Sequence, residues 1–185
     1  DTLLTAGRYL VLPVSLRPRS GADGGAPLDF VLRVGSAKPL LCEPCFVSDH
    51  ELGCGLAAYV KAAGKVHAPF DGMAVHSLHD GAGWLTYAEN RDYMRSFAVE
   101  LDQGGSFNVL PSRGGLTSYD VLAPGRGQLL QVVTHGFLDD GCSMSARTKF
   151  TCDLSPEMHS PAIEGGVHAP FSLGRAGERG GAGGP

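Results

Sequence analysis

The chain has 185 residues and a formal net charge of −4, a length that holds one ordinary domain and a tail but not two full domains. Its basic residues are scattered, with only Arg17 and Arg19 close together, so it offers no footprint for a phosphate backbone and nucleic acid is not expected as a partner. No apolar run reaches membrane-spanning length, and five cysteines lack the dense spacing of a disulfide framework, which together point to free thiols in the cytoplasm.

The start at Asp1, with neither Met nor a charged-then-apolar leader, reads as an internal or carboxy-terminal piece of a longer chain. From there, short apolar runs alternate with Gly, Pro, Asn and Asp clusters, the punctuation of a sheet protein with tight turns. Tyr9 to Leu12 is uniformly apolar and stops at Pro13, as a buried strand does, and Phe30, Leu32 and Val34 alternate with Val31 and Arg33 in a second strand. Between them, Arg17 to Pro27 carries Gly21, Gly24, Gly25 and two prolines, which suit a loop and exclude a central strand.

One helix is expected. Ser48 with Glu51 three residues on forms a capping-box pattern, Leu52, Leu56, Tyr59 and Val60 fall on one face, and Gly64 suits the stop. This helix should pack on a sheet. Strands then resume at Met73 to Leu78, Trp84 to Ala88, Phe97 to Leu101, Ser106 to Leu110, Gln128 to Thr134 and Cys142 to Phe150, separated by turns at 79–83, 90–92, 111–115 and 139–141. Together with the first two runs this makes about eight strands, the number of a two-sheet sandwich. The expected fold is therefore mainly β: an antiparallel β-sandwich over residues 1–152 with one packed helix. After Cys152 the apolar periodicity stops, and Gly174 to Pro185 is too poor in apolar residues to offset the entropy of ordering it. Residues 153–185 are read as a disordered tail. The pentapeptide Val-His-Ala-Pro-Phe occurs at 66–70 and again at 167–171, but its flanks do not match, so it is read as a coincidence and not a structural repeat.

No set of residues adds up to an active site, and neither a catalytic residue nor a cofactor is expected. The nearest approach to a nucleophile elbow, Gly141-Cys142-Ser143-Met144-Ser145, lacks the closing glycine and leads into a strand, not a helix. Gly64-Lys65 lacks the upstream glycine and following hydroxyl of a phosphate-binding loop, and no EF-hand loop is present. Four soft ligands do fall within a short span, Cys42-x2-Cys45-x4-His50-x3-Cys54, one residue short of the spacing of a CCHC zinc knuckle. These are the zinc candidates. Against zinc, a helix starting near Asp49 would stack His50 and Cys54 on one turn. The turn aspartates Asp80, Asp92, Asp102, Asp139 and Asp140 could gather around calcium, although Asp is a default turn residue for conformational reasons. Trp84, Tyr87, Tyr93, Phe97 and Phe107 lie at strand spacing and are read as core.

Two stretches carry a family resemblance. Leu4-x2-Gly7-Arg8-Tyr9-Leu10-Val11-Leu12-Pro13, followed by Phe30-Val31-Leu32-Arg33-Val34-Gly35-Ser36, resembles the closing strand pair of the calpain-type β-sandwich. Ala88-Glu89-Asn90-Arg91, Ser106-Phe107-Asn108-Val109, Ser112-Arg113-Gly114, Gln128 to Val133 and His159-Ser160-Pro161 look like the carboxy-terminal homology domain of the small-optic-lobes calpains. Two departures stand out: Val14 separates Pro13 from Ser15, and the Cys42, Cys45 pair is not a feature of that domain. The resemblance implies a parent chain with amino-terminal zinc fingers and a papain-like core whose Cys, His and Asn lie outside this chain. It leaves open whether Thr2 to Ser36 completes this sandwich or closes a preceding one. The function it implies is a regulatory or protein-interaction module, with the catalytic core of the parent protease and other proteins as partners. The surfaces expected to bind are those around Asn90 to Arg95 and Pro111 to Gly115, because polar loops held by a rigid sandwich are where binding usually lives. The alternatives are a calcium- or phospholipid-responsive sandwich that targets membranes, which the acidic balance disfavours, and a small zinc-binding module at 42–54.

Overall fold

The computed structural model describes residues 7, 9, 11, 33, 35–80, 83–136, 141–153 and 166–174. Its one described helix, α1 (Asp49–Ala63), begins where the sequence places it. Ser48 Oγ accepts a hydrogen bond from the Glu51 amide at 3.2 Å while the Glu51 carboxylate accepts from the Ser48 amide at 2.9 Å, satisfying two otherwise orphaned donors. Gly53, Leu56, Ala57 and Val60 are its buried positions, whereas Tyr59 is half exposed. Gly64 stops the helix for a reason other than left-handed backbone, since its φ is −84°. A Cβ there would lie 2.5 Å from the Val60 carbonyl oxygen and 2.8 Å from that of Ser77, so glycine lets the chain turn directly into the first strand.

The strands are β1 (Lys65–His67), β2 (Met73–Asp80), β3 (Gly83–Asn90), β4 (Ser96–Asp102), β5 (Val109–Pro111), β6 (Thr117–Leu122), β7 (Arg126–His135), β8 (Arg147–Asp153) and β9 (Phe171–Ser172). All pairings are antiparallel. The larger sheet runs β1-β2-β3-β7-β5 with β9 also on β7, and the smaller runs β6-β4-β8. The result is a β-sandwich with a helix on its outer face. Leu56, Ala57 and Val60 of α1 pack on Leu85, Tyr87, Leu129 and Val132, while Met73, Val75, Ala88 and Leu130 of the same sheet meet Phe97, Val99 and Leu122 of the smaller one. Both faces of β3 and β7 are therefore covered. A bulge opposite Thr86 and Tyr87 pairs them with Gln131 and Leu129, and it sends Leu129 to the helix side and Leu130 into the sandwich.

Several strands differ from the sequence expectation. Tyr9 to Leu12 and Phe30 to Val34 fall largely outside the described residues, and the described Tyr9 and Val11 are half exposed. The run from Ser106 forms a strand only at Val109–Pro111, and Phe107 makes an isolated bridge to Ser143. The strand expected from Cys142 begins at Arg147. β6 carries no strand signal in the sequence because two of its three inward residues, Ser118 and Asp120, are polar, which erases the apolar alternation that marks a half-buried strand. Within the span read as a tail, Val167 and Phe171 pack on the helix-side cluster and β9 pairs with Arg126 and Gly127, so residues 166–174 are ordered by the sheet they dock on; 154–165 and 175–185 lie outside the described residues. The two Val-His-Ala-Pro-Phe copies end on opposite faces of the larger sheet. Phe70 stacks on Phe97 with ring centroids 5.7 Å apart, and Phe171 on Tyr87 at 5.9 Å.

Candidate functional site

The β3–β4 connection crosses from the larger sheet to the smaller, and its residues fix it there. Asn90, fully buried, donates from Nδ2 to the carbonyls of Arg95 at 2.8 Å and Leu122 at 3.0 Å. Its Oδ1 accepts from the Asp92 amide at 2.9 Å, and Asp92 Oδ1 accepts from the Met94 and Arg95 amides at 2.7 and 2.8 Å. Those backbone hydrogen bonds, with the one from the Arg95 side chain, hold the Asp92 carboxyl down at about 2. Arg95 also donates to the Asp71 carbonyl at 3.0 Å and lies 5.6 Å from the Phe97 ring centroid. On this rigid frame Tyr93 and Met94 are 88% and 79% exposed. An open groove of about 320 Å³ is lined by Ala68, Phe70, Asp71, Gly72, Met73, Ala74 and Arg91, the last of which lies two residues before Tyr93 in the chain.

Arg91 ties the groove to a buried charge hub under α1. Glu89 is 4% exposed. It accepts from Lys61 of α1 at 2.7 Å, from Arg91 Nε at 2.8 Å and from the Tyr87 hydroxyl at 3.3 Å. Burial alone would raise its carboxyl, but the hydrogen bonds and charges of Arg91 and Lys61 outweigh burial and hold it at about 2. A carboxylate ionised that firmly does not donate a proton near neutrality; it orients Arg91 and clamps the helix to the sheet. His76 lies 3.8 Å from Glu89, beyond hydrogen-bond reach, and burial pushes its imidazole toward the neutral form. Neither of its ring nitrogens has a hydrogen-bond partner among the described residues.

The second surface singled out in the sequence, Pro111 to Gly115, is partly exposed, at Ser112 and Gly114, but its polar side chains bond to the fold. Arg113 pairs with the fully buried Asp120 and donates to the Leu130 carbonyl at 3.2 Å, and Gln128 donates to Asp120 at 2.9 Å. Ser112 Oγ accepts from the Val132 amide at 2.9 Å, and Gln131 donates to the Gly115 carbonyl at 2.8 Å. The polar groups of this loop are spent on the fold. Among the aromatics read as core, Tyr87 and Phe97 are buried but Tyr93 and Phe107 are exposed, because both sit in connections and not in strands.

His50 Nε2 and Cys54 Sγ lie 3.7 Å apart on one turn of α1, and Cys42 and Cys45 are exposed ahead of it. No three His, Cys, Asp or Glu side chains gather among the described residues. The turn aspartates serve the turns: Asp92 as above, and Asp102 by accepting from the Gly104 amide at 2.8 Å; Asp139 and Asp140 lie outside the described residues. One pair passed over in the sequence is close in space, Cys142 Sγ and His135 Nε2 at 3.2 Å. The two are seven residues apart in the chain, and the bridge from Phe107 to Ser143 fixes the stretch that carries Cys142; no local motif announces the pair. No described helix is long and apolar enough to cross a membrane.

Residues 59–156, more than half of the chain, match the family described as Calpain-D-like, C-terminal domain. The chain belongs to this family. No solved structure matches it. The span that defines the Calpain-D-like domain runs from the last turn-and-a-half of α1 through β8, and so contains the smaller sheet, the larger sheet apart from β9, the Glu89 hub and the 90–95 connection. The Cys42, Cys45 pair and β9 fall outside it.

Proposed function

We propose that this Calpain-D-like C-terminal domain is a non-catalytic regulatory module of a cytoplasmic calpain-like cysteine endopeptidase of the small-optic-lobes branch, and that it docks on the catalytic core of that protease. The observation that carries the reading is the exposure of Tyr93 and Met94 on a connection whose backbone is fixed from several sides. A large aromatic and a pliable thioether held out by a rigid loop lose little freedom on binding, and such groups dominate interface energetics. The groove lined by Phe70 and Arg91, the latter two residues before Tyr93, offers an apolar floor with the Arg91 cation and the Asp71 carboxylate on its lining.

The test is titration of the separately produced protease core with this chain, followed by calorimetry. Wild-type chain binds, and a Tyr93→Ser/Met94→Ser variant binds about tenfold or more weakly, the loss expected of a binding hot spot, with an unchanged melting temperature. Absence of binding by the wild type, or equal affinity of the variant, overturns the proposal.

A further inference from the structure

Neither the family nor the docking reading uses the pair formed by Cys142 and His135. Cys142 is exposed, and its sulfur lies 3.2 Å from His135 Nε2, within the reach at which an imidazole takes a thiol proton. Both residues are held by the same short stretch of chain. His135 ends β7 opposite Val109, and the next amide, Gly136, donates to the Asn108 carbonyl at 2.8 Å. On the other side Asn108 Nδ2 donates to the Gly141 carbonyl at 2.6 Å. Ser143 exchanges two backbone hydrogen bonds with Phe107, at 2.8 and 3.1 Å. Asn108 has a φ of +52°, a left-handed conformation that Asn tolerates better than most side chains. Sulfur and ring are thus mounted on one frame.

The other thiols give internal comparisons. Cys42 and Cys45 are exposed and have no such contact among the described residues. Cys54 has His50 at 3.7 Å, but it is half-buried, and burial with the nearby Glu51 charge pushes its thiol up. Cys152 packs against the sandwich core. Among the described residues only Cys142 combines an exposed thiol with a base in hydrogen-bond contact, and beside it the Phe107 side chain is 63% exposed.

We propose that Cys142 is a thiol-exchange site that takes up low-molecular-weight disulfides as reversible mixed disulfides. The Cys142 thiol proton passes to His135 Nε2 as the sulfur attacks one sulfur of the disulfide. The new bond joins Cys142 Sγ to that sulfur and the old S–S bond breaks. The departing half leaves as a thiolate and collects the proton from His135. One thiol and one disulfide are consumed and one of each is formed, so the disulfide itself is the oxidant. Reaction with a second thiol reverses the step.

The test exposes the intact chain to glutathione disulfide at fixed pH and follows adducts by mass spectrometry with peptide mapping. Cys142 gains glutathione about a hundredfold or more faster than Cys42 and Cys45, the low end of what a positioned base contributes. His135→Ala lowers the Cys142 rate to theirs, and imidazole added to the buffer restores part of it, which a purely structural loss would not allow. His135→Gln is the second variant, should alanine disturb β7. Equal rates at Cys142, Cys42 and Cys45 in the wild type overturn the proposal. So does a Cys142 rate indifferent to both substitutions, or a loss that imidazole does not repair.

Discussion

Replacing Glu89 by Gln removes the charge from the hub and leaves its shape. In the folded protein the carboxyl sits at about 2 against an ordinary value of 4.5, a difference equivalent to at most about 3 kcal/mol of stabilisation. The Lys61 and Arg91 side chains are 41% and 50% exposed, so solvent screens their pairing and we expect about 1–2 kcal/mol at pH 7. Because the folded value is depressed, the stabilisation is complete above pH 4.5 and is lost as pH falls toward 2. Urea unfolding of wild type and Glu89→Gln between pH 7 and 2.5 should therefore show a gap at neutrality that closes in acid. His76, kept neutral by burial, adds its own loss of stability as pH falls below its ordinary value of 6.5. Repeating the pair in a His76→Gln background separates the two. A gap that stays constant from pH 7 to 2.5 would refute the assignment of this stability to an ionised Glu89.

Two further outcomes test the architecture. A methyl group at position 53 would be driven into the Val167 carbonyl, so Gly53→Ala should displace the 166–172 segment at a cost of about 1–3 kcal/mol. Hydrogen exchange at the Leu173 amide, bonded to the Gly125 carbonyl at 2.9 Å, then accelerates while β2 and β3 stay protected; an unchanged Leu173 amide would sink the idea. Asp120→Asn strands the part-buried Arg113 without its counter-charge and should cost about 3 kcal/mol in urea unfolding. Asp120→Leu combined with Arg113→Met should recover part of that, and a double variant no better than the single one contradicts the account.

What the sequence by itself determined is what short-range chemistry controls. The helix was legible from Ser48, Glu51 and the apolar face ending at Val60, because its cap and its period are satisfied within a few residues. β2, β3 and β4 were legible from apolar runs between turn residues, and the Ala88 to Arg91 and Gln128 to Val133 stretches pointed to the calpain-like C-terminal domain. Tertiary structure decided the rest. β6 escaped because the partners that make Asp120 tolerable in the interior, Arg113 and Gln128, come from other elements. Phe171 lies in a segment without periodicity and is placed by Tyr87, by His50 of α1 and by β7. Lys61 and Glu89 are 28 residues apart and meet because α1 lies on β3. The exposure of Tyr93 and the contact of Cys142 with His135 are likewise set by register and loop path. Capping and periodicity act along the chain, whereas charge pairing, burial of polar groups and the outward aim of a side chain exist only once distant strands have found their neighbours.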